Sequence, residues 1–439
     1  MFDQYYNKES KILTLPYCFD VELKDLPFDT QIIIFEESNY DNKISIFNKS
    51  LNNLPSNLTH LTTGTLFNQS VDNLPSTLTH LMLGLKFNNS LDNLPNNLTH
   101  LTVGNSFNNS LDNLPNNLTH LTVGYSFNYS LDNLPNNLTH LTVGFSFNKI
   151  INNLPNTLTH LTLGHKFNQP VDNLPKNLTV LTVGYKFNQI ISMLPKTLTH
   201  LNVGYKFNQL LNNLPKTLTH LTLGAKYDGE NFNFKNRNFK DYFLTKHQVD
   251  NLSNNITHLT FGEYFDQPVD NLPISLTHLT FGKYFDQPVD NLPISLTHLI
   301  FKYKFNQSVN NLPKNLTHVT FGYCFNQSVD NLPMNLIHLT VGQCFYQPVD
   351  NLPKKIKELG FYSYSKIKNN IPHNIEILTI LYDACVEVFA HSVAHLIVDN
   401  IPSCVKQIYI KNKNNVCYLK KIPHGCKITD MENNEISIL

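Results

Sequence analysis

Apolar residues return to the same places every 20 residues along most of this chain. From Leu54 it reads LPSNLTHLTTGTLFNQSVDN, then LPSTLTHLMLGLKFNNSLDN, then LPNNLTHLTVGNSFNNSLDN. The Leu-Pro opener recurs from Leu54 to Leu214, and after an interruption the register resumes from Leu252 to Leu352. Within a unit, Leu58, Leu61 and position 63 are the apolar slots, and the polar Thr62 separates the last two. That alternation predicts a short strand over His60–Thr63 with one face inward. Gly64 is expected to end it by taking positive φ. Phe67 and Val71 turn back toward the core. The next Leu-Pro fixes φ and removes a donor, which suits an extended return and excludes a helix interior. Twenty residues are too few for two helices, so the helical repeats are excluded. A solenoid remains, in which each coil buries about six apolar side chains against its neighbours. Its sheet is parallel, its other side is extended and polyproline-like, and it has little helix.

Residue types that usually scatter are confined to slots. Thirteen of 16 glycines occupy the Gly64 slot, and 13 of 19 histidines the His60 slot. The period organises the chain into an N-terminal cap with irregular coils (1–53), regular repeats (54–227), an insertion (228–248), further regular repeats (249–353), and degenerate repeats with a C-terminal cap (354–439). The insertion is a loop or a decayed coil; the absence of any L-x-x-L-x-V pattern in it favours the loop.

The spacing L-x-x-L-x-V/L resembles leucine-rich repeats, above all the shortest type that opens with Leu-Pro. More closely, the string FNQPVDNLP followed by LTHLTFG resembles the FNIP repeat family of social amoebae and of giant viruses that infect amoebae. The unit of 20 residues is shorter than the 22 common in that family. An F-box, carried by many members, is not visible here, since residues 11–35 fit the repeat register instead. The resemblance implies a leucine-rich-repeat-like solenoid with the LTHLTxG strands on a concave face.

Composition narrows the function. Lys+Arg and Asp+Glu are both 33, so net charge is zero and the simplest electrostatic case for nucleic acid or an anionic membrane is missing. No apolar stretch is long enough to span a bilayer, and no secretory signal is visible, so a cytoplasmic location is expected. Seven cysteines carry no C-x-x-C, and a cytosolic chain keeps them as thiols. Cys324 and Cys344 share one slot on adjacent coils. No nucleophile–base pair, phosphate loop or H-E-x-x-H stands outside the repeats, so catalytic residues, cofactor and metal are all expected to be absent.

The histidine slot, with His100, His120, His140 and His160 at its centre, forms a ladder beside a threonine row. Parallel imidazoles do not converge on a metal, and a structural or generic surface role is favoured. The Asp slot (Asp72, Asp92, Asp112, Asp132) lacks the Gly-Gly-rich calcium signature, and Asx turns explain it. The slot after glycine varies most. It holds Tyr125, Phe145, Tyr185, Tyr205, Tyr303 and Tyr323, and by leucine-rich-repeat geometry it lies on the lip of the concave face. Exposed aromatic rows of this kind mark interaction sites, or else the rings simply pack on one another. The expected function is a non-catalytic protein-protein interaction scaffold, monomeric, binding an unidentified protein and neither nucleic acid nor membrane. Two alternatives stand beside it. One, from the family resemblance alone, is a substrate receptor in a ubiquitin-ligase assembly. The other is an expanded repeat protein with little specialised function, suggested by the near-identical units at 264–279 and 284–299.

Overall fold

A computed structural model describes residues 2–38, 43–225, 249–250, 252–361, 371–381, 401–412, 416, 419 and 421–436. The 228–248 insertion therefore lies wholly outside the described residues. The chain divides into two units, one of residues 1–218 and 225–237, the other of residues 219–224 and 238–439.

The first unit begins with a 3-10 turn, Phe2–Gln4, and a strand, Tyr6–Asn7, antiparallel to Ile12–Leu15. From Ile12–Leu15 onward the strand pairings of the described residues are parallel and in register, and isolated antiparallel bridges join Ser38 to Lys43 and Thr429 to Glu435. Leu13 faces Ile33, Ile33 faces Leu61, Leu61 faces Leu81, and the series continues to Leu181 beside Leu201. The second unit repeats the arrangement from His220–Ala225 through His258–Phe261 to Lys427–Asp430. Each regular strand falls on the LTHLTxG segment and is three to six residues long. Both units are thus stacks of short coils with almost no helix among the described residues.

The inward face follows from the apolar slots. Leu58, Leu61, Phe67 and Val71 are all buried, as are Leu98, Leu101, Val103, Phe107 and Leu111 two coils on. The Phe67 slot makes a continuous ring column. Phe67, Phe87, Phe107 and Phe127 follow one another at 6.1–6.3 Å between centroids. In the second unit Phe replaces Val at 261, 281, 301 and 321, and each added ring stacks within its own coil, Phe281 on Phe285 at 3.8 Å.

Two expectations are corrected here. Among the described slot glycines Gly224 alone takes positive φ, and Gly425, the other positive-φ glycine, lies outside the slot. The slot is reserved for glycine because coils approach backbone to backbone there. A Cβ built on Gly84, Gly144 or Gly164 would overlap the carbonyl of the preceding slot glycine. The Asp slot does not form the expected Asx turns. Asp92 accepts the Ser90 hydroxyl at 2.6 Å and the side-chain amide of Asn113, one coil on, at 3.0 Å. It ties coils together.

The Asn68 slot is a second tie. The backbone N–H of Asn148 donates to Asn128 Oδ1 at 2.9 Å, and that of Asn128 to Asn108 Oδ1 at 2.9 Å. Asp266 and Asp286 serve as well, accepting from the N–H of residues 286 and 306 at 2.9 Å. The slot therefore needs a carbonyl-type oxygen, not an amide as such. Asn128→Asp should leave stability nearly unchanged, whereas Asn128→Leu should cost about 1 kcal/mol by orphaning the Asn148 N–H. Paired urea denaturation curves measure this; equal losses in both variants would refute the tie.

Candidate functional site

The outward face of each strand carries two side-chain rows, one of His and one of Thr. His60, Leu61 and Thr62 alternate half-buried, buried and half-buried, as do the strands at His100, His120 and His140. Because the strands are in register, the imidazoles stack. His80–His100, His100–His120, His120–His140 and His140–His160 are each 4.2 Å apart between centroids, with planes within 12°. Val180 interrupts the row in the first unit and pairs in register with His200, and in the second unit His220, His258, His278, His298 and His318 stack at 4.1–4.3 Å between centroids.

The threonine before each histidine is the partner that the sequence reading missed. Thr99 Oγ1 lies 2.9 Å from His100 Nδ1 and 3.1 Å from the carbonyl of Thr79. The same carbonyl also accepts the N–H groups of Thr99 and His100. One hydroxyl proton cannot serve both neighbours. Either the hydroxyl donates to the carbonyl and Nδ1–H donates to Oγ1, or the hydroxyl donates to Nδ1 and the ring proton sits on Nε2. A charged ring requires the first arrangement, which is open to it without loss of a bond. The recurrence of Thr before all but one of the slot histidines was the available signal. Where Ile337 replaces it, His338 Nδ1 instead faces Glu358 Oε2 at 3.0 Å.

Burial depresses the pKa of His80, His100, His140, His298 and His318 first, and neighbouring imidazoles lower each further. For His278 burial alone acts. Repulsion is therefore the secondary cause. Among the described residues no three His, Cys, Asp or Glu side chains converge as metal ligands would. The His row is a surface feature whose rings point the same way.

Beyond the strands, the slot after glycine also forms a column. Tyr125 stacks on Phe145 at 4.3 Å, Phe145 meets His165 at 4.3 Å, His165 meets Tyr185 at 4.6 Å, and Tyr185 meets Tyr205 at 5.1 Å. Tyr125 is exposed, while Tyr185 and Tyr205 are half-buried. Phe145 is not the exposed ring that its slot suggested. It is only 8% exposed, because Tyr125 and His165 cover its faces and Lys166 Nζ lies 5.4 Å from its centre. The pKa of His165 is lowered to about 4, by burial first and then by Lys186 and Lys166. In the second unit Tyr303 and Tyr323 are exposed and stack at 4.8 Å, with Lys283 Nζ 5.3 Å from the Tyr303 centre. A shallow pocket of about 410 Å³ lies there, lined by Ile300, Lys302, Tyr303, Phe321 and Tyr323 among others. The column thus joins both readings of the slot: its rings do pack on one another, and several keep an exposed edge.

Comparison with known proteins settles the family. The FNIP Repeat model matches residues 47–86, 87–126, 127–166, 167–205, 190–226, 243–284, 268–304 and 285–324, over half of the chain. The chain belongs to the FNIP repeat family. Among curated proteins none matches it. A similar solved structure is CroV588, a circular leucine-rich-repeat protein of a giant virus. It is 35% identical over 92% of this chain with a TM-score of 0.61, and this chain covers 66% of that protein, just under two thirds. YopM from Yersinia enterocolitica is 20% identical over 93% of this chain and 84% of its own, with a TM-score of 0.42. The FNIP repeats here build a solenoid of the leucine-rich-repeat type. Among the described residues no helix is long and apolar enough to cross a membrane.

Proposed function

We propose that this FNIP repeat protein is a non-catalytic, cytoplasmic, monomeric scaffold that binds a protein partner along its sheet face and lip. The observation that carries the reading is the lip column: aromatic rings held in fixed positions by their neighbours, with edges open at Tyr125, Tyr303 and Tyr323. Rigid aromatics lose little entropy on binding and are enriched at binding hot spots. Solenoids of stacked repeats commonly present such extended surfaces to partners.

The test separates surface from support. Tyr125→Ser with Tyr185→Ser in one variant, and Tyr303→Ser with Tyr323→Ser in another, should change stability by about 0.5 kcal/mol per site. Phe145→Ser, in contrast, should cost about 3 kcal/mol, since it empties a packed position. Proximity labelling in the native cell should show a partner set recovered by the wild type and depleted about tenfold in at least one tyrosine pair. If both folded pairs recover the wild-type set, the lip is not the binding surface and the proposal fails.

A further inference from the structure

Whole-chain neutrality conceals a strongly uneven distribution of charge. Residues 54–148 contain Lys86 against Asp72, Asp92, Asp112 and Asp132, a net of −3. Residues 149–225 contain seven lysines (149, 166, 176, 186, 196, 206 and 216) against Asp172 alone, a net of +6. From Lys166 to Lys216 a lysine falls every ten residues. With a coil of 20 residues, that spacing makes two rows.

The structure fixes where the rows lie. Lys176 and Lys196 each stand four residues before a strand, Val180–Val183 and His200–Gly204 respectively. Lys166 and Lys186 each stand three residues after one, His160–Leu163 and Val180–Val183. The rows therefore border the sheet at opposite strand ends. Both are held in register between coils. Thr197 Oγ1 donates to the Lys176 carbonyl at 2.7 Å and Thr217 Oγ1 to the Lys196 carbonyl at 2.9 Å. On the other edge, the N–H of Lys186 donates to the His165 carbonyl and that of Lys206 to the Tyr185 carbonyl, each at 2.9 Å. Lys166, Lys176, Lys186, Lys196 and Lys216 are exposed, and none of these five is in an ion pair with a carboxylate among the described residues. Lys166 lies over the Phe145 ring, but like charges repeated at coil spacing repel one another, so the rows as a whole cost the fold electrostatic energy. An anionic ligand would relieve it.

The floor between the rows discriminates among anions. Single-stranded nucleic acid needs exposed aromatic faces for its bases to stack on. The lip rings here are 4.3–5.1 Å apart and cover each other's faces, leaving no gap for a base. The floor offers instead the hydrogen-bonding groups of Thr162, Thr182 and Asn202, and one apolar position, Val180, where the histidine row is broken. Peptide groups and an aliphatic side chain fit such a floor. We infer that the sheet face spanning residues 160–216, bordered by two lysine rows, binds an extended acidic polypeptide segment. The inference rests on the scaffold reading and names the chemistry of the partner for one stretch of that surface.

The experiment uses the full chain and a short fluorescent poly-L-glutamate, followed by anisotropy at low and at physiological salt. Wild type should bind, and binding should weaken as salt rises, since surface charge pairs are screened. The Lys166→Gln, Lys176→Gln, Lys186→Gln, Lys196→Gln variant should bind about tenfold more weakly or worse. A control carrying Lys86→Gln, Lys304→Gln, Lys314→Gln and Lys354→Gln, all exposed and outside the lip column, should keep wild-type affinity. Exposed substitutions of this kind are expected to leave the melting temperature close to wild type, and measuring it checks that both variants are folded. Equal loss in both variants, or no binding by wild type at low salt, overturns the proposal. Tighter binding of labelled oligo-dT with the same lysine dependence also overturns it, in favour of nucleic acid. If poly-glutamate fails while the lip tyrosine variants still lose their partner, the scaffold reading stands and only the acidic partner falls.

Discussion

Gly164→Ala is expected to destabilise the protein by about 3 kcal/mol, more than the loss of any single hydrogen bond in the coil. The added methyl would overlap both the carbonyl oxygen and the carbonyl carbon of Gly144 and crowd the oxygen of Val143. All three are backbone atoms, so no rotamer change can make room. Gly144 O also accepts the N–H of Phe147 at 3.4 Å, so displacing it disturbs the turn that seats a core ring. Gly425→Ala provides the contrast. It has positive φ but open space around its Cβ, and should cost only about 1 kcal/mol. Because coils couple mainly to their neighbours, the damage should be local as well as global. Hydrogen exchange should quicken in strands His140–Val143 and His160–Leu163 before it does in strands far from the substitution. Lys302 carries a side chain in the same slot and lines the shallow pocket beside Tyr303. Wild-type denaturation midpoints and unchanged protection in Gly164→Ala would show that coil approach does not require glycine.

The period made the solenoid legible because one solution satisfies 20-residue spacing, alternating burial and a recurrent Leu-Pro together. Leu61, Phe67 and Val71 had one place to go. Gly64 was assigned the wrong physics, since a glycine needed for φ and a glycine needed for close approach look alike in one dimension. Asp92 was misassigned for a related reason: its partner Asn113 lies 21 residues away, in a contact created by stacking. Phe145 could not be separated from Tyr125 by slot alone, because its burial depends on which rings flank it. The lysine rows were visible in the sequence at spacing ten but vanished in the sum over the whole chain. A charge count per coil would have found them.

Lowering the pH from 7.5 to 5.5 should reduce the melting temperature by several degrees, and the histidine column should be the cause. His80, His100, His140, His278, His298 and His318 all have pKa values below 6.5 in the folded protein. Burial of the stacked rings is the first cause, and proximity of other imidazoles the second for all but His278. In the unfolded chain these groups return to about 6.5. Below that pH the unfolded state binds more protons, so the stability is fully present above about pH 6.5 and is lost as pH falls through the folded values. Other groups facing the column do not reverse the sign. The threonine hydroxyls can turn to accept from a charged ring, and Glu358 adjoins the column at its His338 end, where it opposes the lowering at His318. His165, with its pKa lowered to about 4, adds a loss in the same direction. The Asp slot adds one too, though only in stronger acid. Serine and asparagine hydrogen bonds hold Asp92, Asp112 and Asp330 below the usual carboxylate value, the opposite of a row of repelling carboxylates. A variant with these six of the 13 slot histidines changed to Gln keeps hydrogen-bonding capacity but cannot titrate at those positions, so its melting temperature should be much flatter across the same window. A wild-type melting temperature constant from pH 7.5 to 5.5 would mean that the column is too well solvated for protonation to couple to folding.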